Sequence, residues 1–288
     1  MSNWTPTIEE YHRDPAVSSS SMSDFRKSPR YYEARHITHT IMPPEPTDNM
    51  VLGSLVHLLA LEPHNFERSF AVQSPEIKVR RGKAWEEFKT EHADKEILRI
   101  KDFNRAAAIS AALKKNAMAM SLLRHNPGDN EISFKWQHHT GLHCRCRFDR
   151  ITSIGDTPAV VDMKIWSCLP NPDAIRRQYE NLNVMCQRAF YRQGYLAMTG
   201  ESAADVLIIV HKEPPYSVNI VMSSIPLLQV GHRRNEELLA EMAIRFNTGD
   251  WSDFGEDKPY TLHPSPWIAK EVAGWKDEPE LQRTFHGK

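Results

Sequence analysis

Residues 160–165 read Val-Val-Asp-Met-Lys-Ile, an apolar and largely β-branched run with two opposite charges set into it. A run of this kind is a strand bound for a core. Side chains alternate faces along a strand, so Asp162 and Lys164 share one face while Val161, Met163 and Ile165 share the other. A carboxylate and an ammonium on a core strand cost several kcal/mol unless something compensates them. A metal ion with a phosphate beside it compensates both. A purely structural Asp–Lys pair at a strand edge is the simpler alternative, and the tripeptide alone does not separate the two.

The segment before it supplies a second carboxylate. From Leu142 to Ile151 the alternation sets Leu142, Cys144, Cys146 and Phe148 on one face, and His143, Arg145, Arg147 and Asp149 on the other. The turn signal Gly155-Asp156-Thr157-Pro158 makes the two strands neighbours. Asp149 and Asp162 then converge on one divalent ion, with Lys164 beside it and Arg145 and Arg147 along the approach. A few hard oxygen ligands with a phosphate as co-ligand suit Mg²⁺ or Mn²⁺ rather than Zn²⁺. Glu131, which opens an upstream hairpin strand over 131–137, is a candidate further ligand or water-positioning acid. The hairpin turn is His138-His139-Thr140-Gly141, and His138, His139, His143, Cys144 and Cys146 invite a zinc reading. Alternation sets His143 opposite the two cysteines, so no common tetrahedral site is expected from them.

The formal net charge of the chain is −1, which excludes a broad basic field for holding DNA. Between residues 145 and 192, however, eight Lys/Arg, Arg188 among them, stand against five acids. That is a modest basic focus around the candidate metal-binding acids.

Further motifs sharpen this reading. Asp149, then Asp162-Met163-Lys164, then Gln187-x-x-x-Tyr191 on a following helix, with Gly53-Ser54-Leu55-Val56-His57 on an upstream one, is a pattern that resembles the PD-(D/E)XK nuclease superfamily in its RecB-like and lambda-exonuclease-like branch. The chain is more closely similar to the RecE family, the exodeoxyribonuclease VIII type of phage recombination nucleases. The stretches that carry this are Tyr11-His12, the serine-rich 17–25, Ser28-Pro29, 53–66, 141–151 and 160–164, in the family's order. The resemblance implies an α/β fold, a central mixed β-sheet flanked by helices around a restriction-endonuclease-like nuclease core. It implies one or two Mg²⁺, with Mn²⁺ as substitute, held by Asp149, Asp162, the backbone carbonyl of Met163 and His57. Lys164 would position and help deprotonate water, while Gln187 and Tyr191 orient the site and contact DNA. Arg26 or Arg30 near the N-terminus would hold the terminal phosphate of a strand.

The implied activity is 5′-to-3′ digestion of linear duplex DNA, leaving 3′ tails for recombination by strand annealing. A ring-shaped homo-oligomer and a RecT-like single-strand annealing protein as partner go with it. An endonuclease of the same superfamily, or a DNA-binding protein with a silenced site, are the alternatives. One departure is Ile165-Trp166, where family members often carry threonine after the lysine.

The rest of the chain reads as a single nuclease domain. Residues 1–48 form an N-terminal capping segment, 49–248 the core, and 249–288 a C-terminal wrap. No signal peptide or membrane span is visible, and four cysteines without a C-x-x-C pair read as reduced core thiols of a cytoplasmic protein. No iron–sulfur cluster is expected, because the split cysteine pattern of some related nucleases is missing. Helices are expected from about Met22 to Ser28, over 49–62 with Gly53 allowing close approach to the sheet, over 83–94, 101–125, 173–198 and 226–247. Strands are expected within 65–80 and over 131–137, 142–151, 160–165, 205–211 and 216–223.

Overall fold

In the computed structural model, which describes residues 4–253, 255–256, 261–265 and 268–270, the two acid-bearing strands lie at the centre of a sheet. Strands β1 (Phe70–Val72) and β2 (Glu96–Leu98) pair separately, in parallel. The remaining five, β3 (Asp129–Gln137), β4 (His143–Ile154), β5 (Thr157–Trp166), β6 (Ala204–His211) and β7 (Val218–Met222), stand in that order. All neighbours are antiparallel except β5 and β6, which are parallel. The fold is therefore the expected mixed sheet. The β4–β5 turn is tighter than the sequence suggested: Gly155, at φ +58, and Asp156 make it, and Pro158 already lies in β5 opposite Ser153.

The helices close both faces. Before the sheet come α1 (Ile8–Arg13), α2 (Ser19–Lys27) and the single turn α3 (Pro29–Tyr32). Ser18 and Ser21 form a reciprocal cap that starts α2, and Ser28 ends it and caps α3, whose first residue is Pro29. Next are α4 (Asp48–Leu61), capped by the Thr47 hydroxyl and followed by Pro63, the short α5 (Phe66–Ser69), α6 (Lys83–Glu91), α7 (Ile100–Lys115) and α8 (Ala117–Met120). Asn116 divides the helix expected over 101–125, because its side chain accepts from the Ala119 N–H and starts a new helix. After β5 come α9 (Pro172–Asn181) and α10 (Val184–Thr199), and after β7 comes α11 (Ile225–Thr248). The expected single helix over 173–198 is thus two, broken where Asn183 takes a left-handed φ of 50°.

Alternation on β5 and β6 explains the two cores. Val161, Met163, Val206, Ile208 and Val210 face Leu55 and Val56 of α4 and Ile109 and Leu113 of α7. On the other face Val160 meets Phe25, Phe190, Leu239 and Met242, while Leu207 and Ile209 meet Ile175 and Met185. Each such side chain contributes on the order of 1.5–3 kcal/mol by burial. Met22, Phe25 and Tyr32 lie inside the second cluster, so the N-terminal segment is part of the core. Gly53 does not serve close packing as expected: a Cβ there would meet nothing within 4 Å. Gly231 does, since a Cβ would fall 2.1 Å from the Met185 carbonyl oxygen where α11 crosses α10.

The chain divides into two units, Met1–Trp251 and Ser252–Lys288. Trp251 is buried and stacks on Tyr32. The expected C-terminal wrap beyond it lies largely outside the described residues.

Candidate active site

The site arises where the sheet forks. β4 pairs with β3 along nearly its whole length, but with β5 only from Arg150 to Ile154. Further along, β4 takes a different neighbour: the Val17 N–H donates to the His143 carbonyl and the Arg145 N–H to the Val17 carbonyl, each at 2.8 Å. Between these two pairings, opposite Asp162 and Met163, the edge of β5 toward β4 is open. Unpaired backbone groups at such an edge need other partners. Two side chains supply them: the Met163 N–H donates to Asp149 Oδ2 at 2.8 Å, and the Met163 carbonyl accepts from His57 Nε2 at 2.8 Å. The acid and the histidine are therefore fixed by the interruption of the ladder itself.

Simple alternation does not hold through this point. Phe148 and Ile151 pack into the same cluster, whereas Arg150 points to the other face, its Nε bonded to the Leu122 carbonyl. The phase of β4 slips by one residue at Asp149, and Glu131 on the facing strand has a φ of +54°. Asp149 lies opposite Phe148, on the α4 side where His57 is, and the slip turns Arg150 to that same side. One ligand atom from each of His57, Glu131 and Asp149 lies within 4.8 Å of the other two, and His57 Nδ1 is 3.6 Å from Asp149 Oδ2.

Asp162 is 1% exposed. Lys164 Nζ is 3.3 Å from its Oδ1 and 3.1 Å from Oδ2, the latter poorly aligned for a hydrogen bond, so that Oδ2 is a buried oxygen without one. Behind it Arg188 Nη1 stands 3.3 Å from Oδ1. The two aspartates are pushed in opposite directions. Burial raises Asp149, and the neighbouring Asp162 charge raises it further, outweighing His57 and Lys164. Burial works against Asp162 too, but the Lys164 and Arg188 charges overcome it and hold this carboxyl below the ordinary range. Glu131 is raised by burial and by Asp149, against the Arg147 guanidinium whose Nε donates to Oε2 at 2.7 Å.

The chemistry of these donors fits a divalent ion. Asp162 Oδ2 is buried without a hydrogen bond, and Asp149 is an acid, raised by burial and by Asp162, whose ionised form a cation would favour. Cis ligands of a six-coordinate ion at about 2.1 Å lie about 3 Å apart; His57 Nδ1 and Asp149 Oδ2, at 3.6 Å, are close to that spacing, and the group as a whole, within 4.8 Å, would contract to reach it. With His57 Nε2–H tied to a backbone carbonyl, Nδ1 is the nitrogen presented to the carboxylates, the usual arrangement for a ligating imidazole. The Met163 carbonyl, expected as a ligand, thus orients His57 and retains a second lone pair toward the same space.

Other expected residues divide into those at the site and those that are structural. Gln187 Nε2 donates to the Tyr191 hydroxyl at 3.4 Å, and burial, then the Tyr11, Asp162 and Asp149 charges, push the Tyr191 phenol well up. Arg147 stays partly exposed beside Glu131. Arg188, expected on DNA, is a correction: its side chain is 0% exposed, with Nε bonded to Asp205 Oδ1 at 2.5 Å and Nη2 to the Val160 carbonyl at 2.9 Å. A guanidinium closed into the core as counter-ion to two aspartates has no face for a phosphate. Arg145 is likewise corrected: it is buried, donates through Nε to the Ala16 carbonyl, and lies over the Tyr11 ring. Arg26 is half-buried in a cleft of about 190 Å³, lined also by Ser19, Ser20, Ser23, Asn183 and Gln187. Arg30 is exposed on α3. The counter-ion role of Arg188 was missed, although Asp205 inside the apolar run 205–210 was a signal that a buried cation had to come from elsewhere.

A larger open hollow lined by Arg124 and Arg150 is no rival site, because both guanidinium groups are occupied by backbone carbonyls. Among the described residues no helix is long and apolar enough to cross a membrane.

A family model described as a PDDEXK-like domain of unknown function (DUF3799) matches residues 18–260, most of the chain. Among solved structures, a crystal structure from Eubacterium rectale named "Putative exonuclease" is 16% identical, over 94% of this chain and 100% of that one, with a TM-score of 0.61. At that identity the likeness speaks for the fold. A structure named SSO0001 is 14% identical over 65% of this chain and 84% of its own, but its TM-score of 0.27 carries no argument. No curated protein matches the sequence.

Proposed function

This chain belongs to the PDDEXK-like family, and from that premise we propose that it is a divalent-metal-dependent 5′-to-3′ exodeoxyribonuclease acting on linear double-stranded DNA. The observation that carries the reading is the open edge of β5, where Asp149, Asp162, Lys164, His57 and Glu131 meet. Asp149, Asp162, His57 and Glu131 would hold the ion or ions, Mg²⁺ with Mn²⁺ as substitute. When bound, the cation supplies Lewis-acid stabilisation of the phosphoryl oxygens and favours ionised water. Lys164, kept at the carboxylate by its ion pair, positions the attacking water. Gln187 and Tyr191 form the wall that orients the phosphodiester. Arg147, partly exposed beside Glu131, attracts the strand to the site.

The cleft holding Arg26 borders Gln187, which suits it to a 5′-terminal phosphate, and Arg30, exposed on α3, is the second candidate for that contact. A net charge of −1 leaves no broad surface for salt-sensitive nonspecific binding. Persistence on the substrate then comes from topology, a homo-oligomeric ring closed around the duplex. The 3′ tails produced are the substrate of a RecT-like annealing protein in recombination.

Digestion of 5′-labelled linear duplex, run beside covalently closed circles and single strands, with Mg²⁺ and after chelation, tests this reading. Light scattering gives the subunit count. Early release of the 5′ label from linear DNA, intact circles, an oligomer, and no activity after chelation are expected. A monomer that nicks the circle as fast as it degrades linear DNA points to the endonuclease alternative. Full activity after exhaustive chelation overturns the metal-dependent reading.

A further inference from the structure

A second group of ligating side chains lies away from the fork. The turn between β3 and β4 holds His138 and His139, and α11 passes beneath it carrying Glu236. His138 Nε2 is 3.0 Å from Glu236 Oε1, and His139 Nε2 is 2.5 Å from Oε2. One ligand atom from each of the three lies within 4.8 Å of the others. The turn stands at the far end of β4 from Asp149, about 20 Å away over six strand residues, so this group shares no residue with the fork.

We propose that His138, His139 and Glu236 form a second metal site, for a borderline transition ion of the Zn²⁺ class, which clips the β3–β4 turn to α11. This goes beyond the nuclease reading and does not depend on it. Two imidazoles and one carboxylate are a donor set for such ions, in contrast to the oxygen-rich group at the fork. The supporting contacts are those of an oriented site. His138 is 3% exposed, and its other ring nitrogen, Nδ1, is 2.9 Å from the Thr140 hydroxyl. Gln193 Nε2 donates to Glu236 Oε1 at 3.1 Å, fixing the carboxylate from α10. His232, one turn before Glu236 on α11, has Nδ1 3.7 Å from Oε1 but stands outside the three-residue group, so a fourth position is left to water.

Without an ion, the same three groups form a hydrogen-bonded cluster in which imidazole N–H groups donate to the carboxylate. For an ion to bind, each ligating imidazole must free its Nε2 lone pair: a neutral ring shifts that proton to Nδ1 by way of solvent, with no net release, and an imidazolium gives up one proton. The clip joins residues 97 positions apart in the chain, a long loop whose closure a metal reinforces.

The full-length protein, stripped of metals, is titrated with Co²⁺ and followed in the visible, then challenged with Zn²⁺; thermal unfolding is recorded with and without Zn²⁺. The Asp149→Asn variant serves as background, because it disables the fork and leaves this group intact. His139→Ala and Glu236→Gln remove one donor each, and His139 has a 72% exposed side chain, so its loss leaves the core alone. We expect wild type and Asp149→Asn to take up Co²⁺ with the intense bands of a tetrahedral ion, which Zn²⁺ displaces. Zn²⁺ at a hundredfold its Kd should raise their Tm by about 5–10 °C. His139→Ala and Glu236→Gln should lose both signals. Absence of both signals in wild type overturns the proposal. So does their persistence in His139→Ala and Glu236→Gln, or their loss in Asp149→Asn alone, which assigns the ion to the fork.

Discussion

Replacing Arg188 by methionine separates the two roles open to a cation on α10. The side chain is wholly enclosed, bonded to Asp205, 3.3 Å from Asp162 Oδ1, and donating to the Val160 carbonyl. At 3.3 Å and an effective dielectric of about 20, the attraction to Asp162 alone is on the order of 5 kcal/mol before any desolvation is counted. Methionine fills similar volume, so the main effect is to leave two buried carboxylates without their cation. Breaking a buried pair in this way costs about 3–5 kcal/mol. For a domain of this size that lowers Tm by roughly 6–20 °C, a large share of a typical stability of about 5–15 kcal/mol. The double variant Arg188→Met/Asp205→Asn should recover much of the loss, because an apolar and a neutral side chain replace the ion pair. Saturating Mg²⁺ should help the single variant through Asp162 but not through Asp205. Thermal unfolding of the four members of the cycle, with and without Mg²⁺, gives the coupling. DNA affinity measured over a range of salt gives the other half: a lost phosphate contact reduces the slope of log K against log salt by about one, and we expect the slope to be unchanged. An Arg188→Met protein with wild-type Tm and a reduced slope would refute the counter-ion assignment.

Lys164→Ala keeps both aspartates, so duplex binding should survive while turnover falls by about 10²–10⁴-fold; single-turnover cleavage beside a binding assay checks this, and cleavage at near wild-type rate rejects the role given to this lysine. Asp149 is an acid whose folded pKa is raised by burial and by Asp162. The folded state therefore binds more protons than the unfolded one, and the ionised group destabilises the metal-free fold at neutral pH, a cost relieved as pH falls through the raised pKa. Asp149→Asn should be the more stable protein in chelator at neutral pH, with the advantage shrinking toward acid, and should not cleave DNA; a lower Tm than wild type at neutral pH contradicts the assignment. Metal affinity of the wild type should weaken over the same descent in pH, because the ligand must be ionised, and calorimetric Mn²⁺ titrations at several pH values show it or exclude it.

The sequence carried the central strand, its two charges and the hairpin leading into it, because a buried carboxylate in a β-branched run is legible without any contact map. It also carried α4 and its histidine, through helical spacing and a resemblance. What it did not carry has common causes. The parallel pair β1–β2 consists of three-residue strands, too short to show a period. The break between α9 and α10 rests on one left-handed asparagine that leaves the apolar spacing intact. Arg188 and Arg145 read as surface cations because charge in a sequence does not say which side of a helix or strand is enclosed. His138 and His139 were weighed against the adjacent histidine and cysteines, whereas their partner, Glu236, lies on the last long helix of the first unit.

The fork shows why strict alternation is least dependable at the site itself. Had β4 continued alongside β5 in register, Asp149 would have stood opposite Asp162, with the Met163 N–H and carbonyl consumed by the ladder. The phase slip at Asp149 and the parting of the two strands release those backbone groups, and Asp149 and His57 take them up. The same contacts fix both side chains beside Asp162. A regular sheet would satisfy the backbone more simply but would hold these donors in place no better than their rotamers allow. The irregularity ties the positions of Asp149 and His57 to backbone hydrogen bonding, so that misplacing either side chain leaves a buried peptide group unpaired. His57→Ala should accordingly lower the unfolding free energy even in chelator, by about 1–3 kcal/mol for the orphaned Met163 carbonyl, in addition to weakening metal binding. A loss of metal affinity with unchanged metal-free stability would show that the open edge is satisfied in some other way and that His57 is a ligand alone.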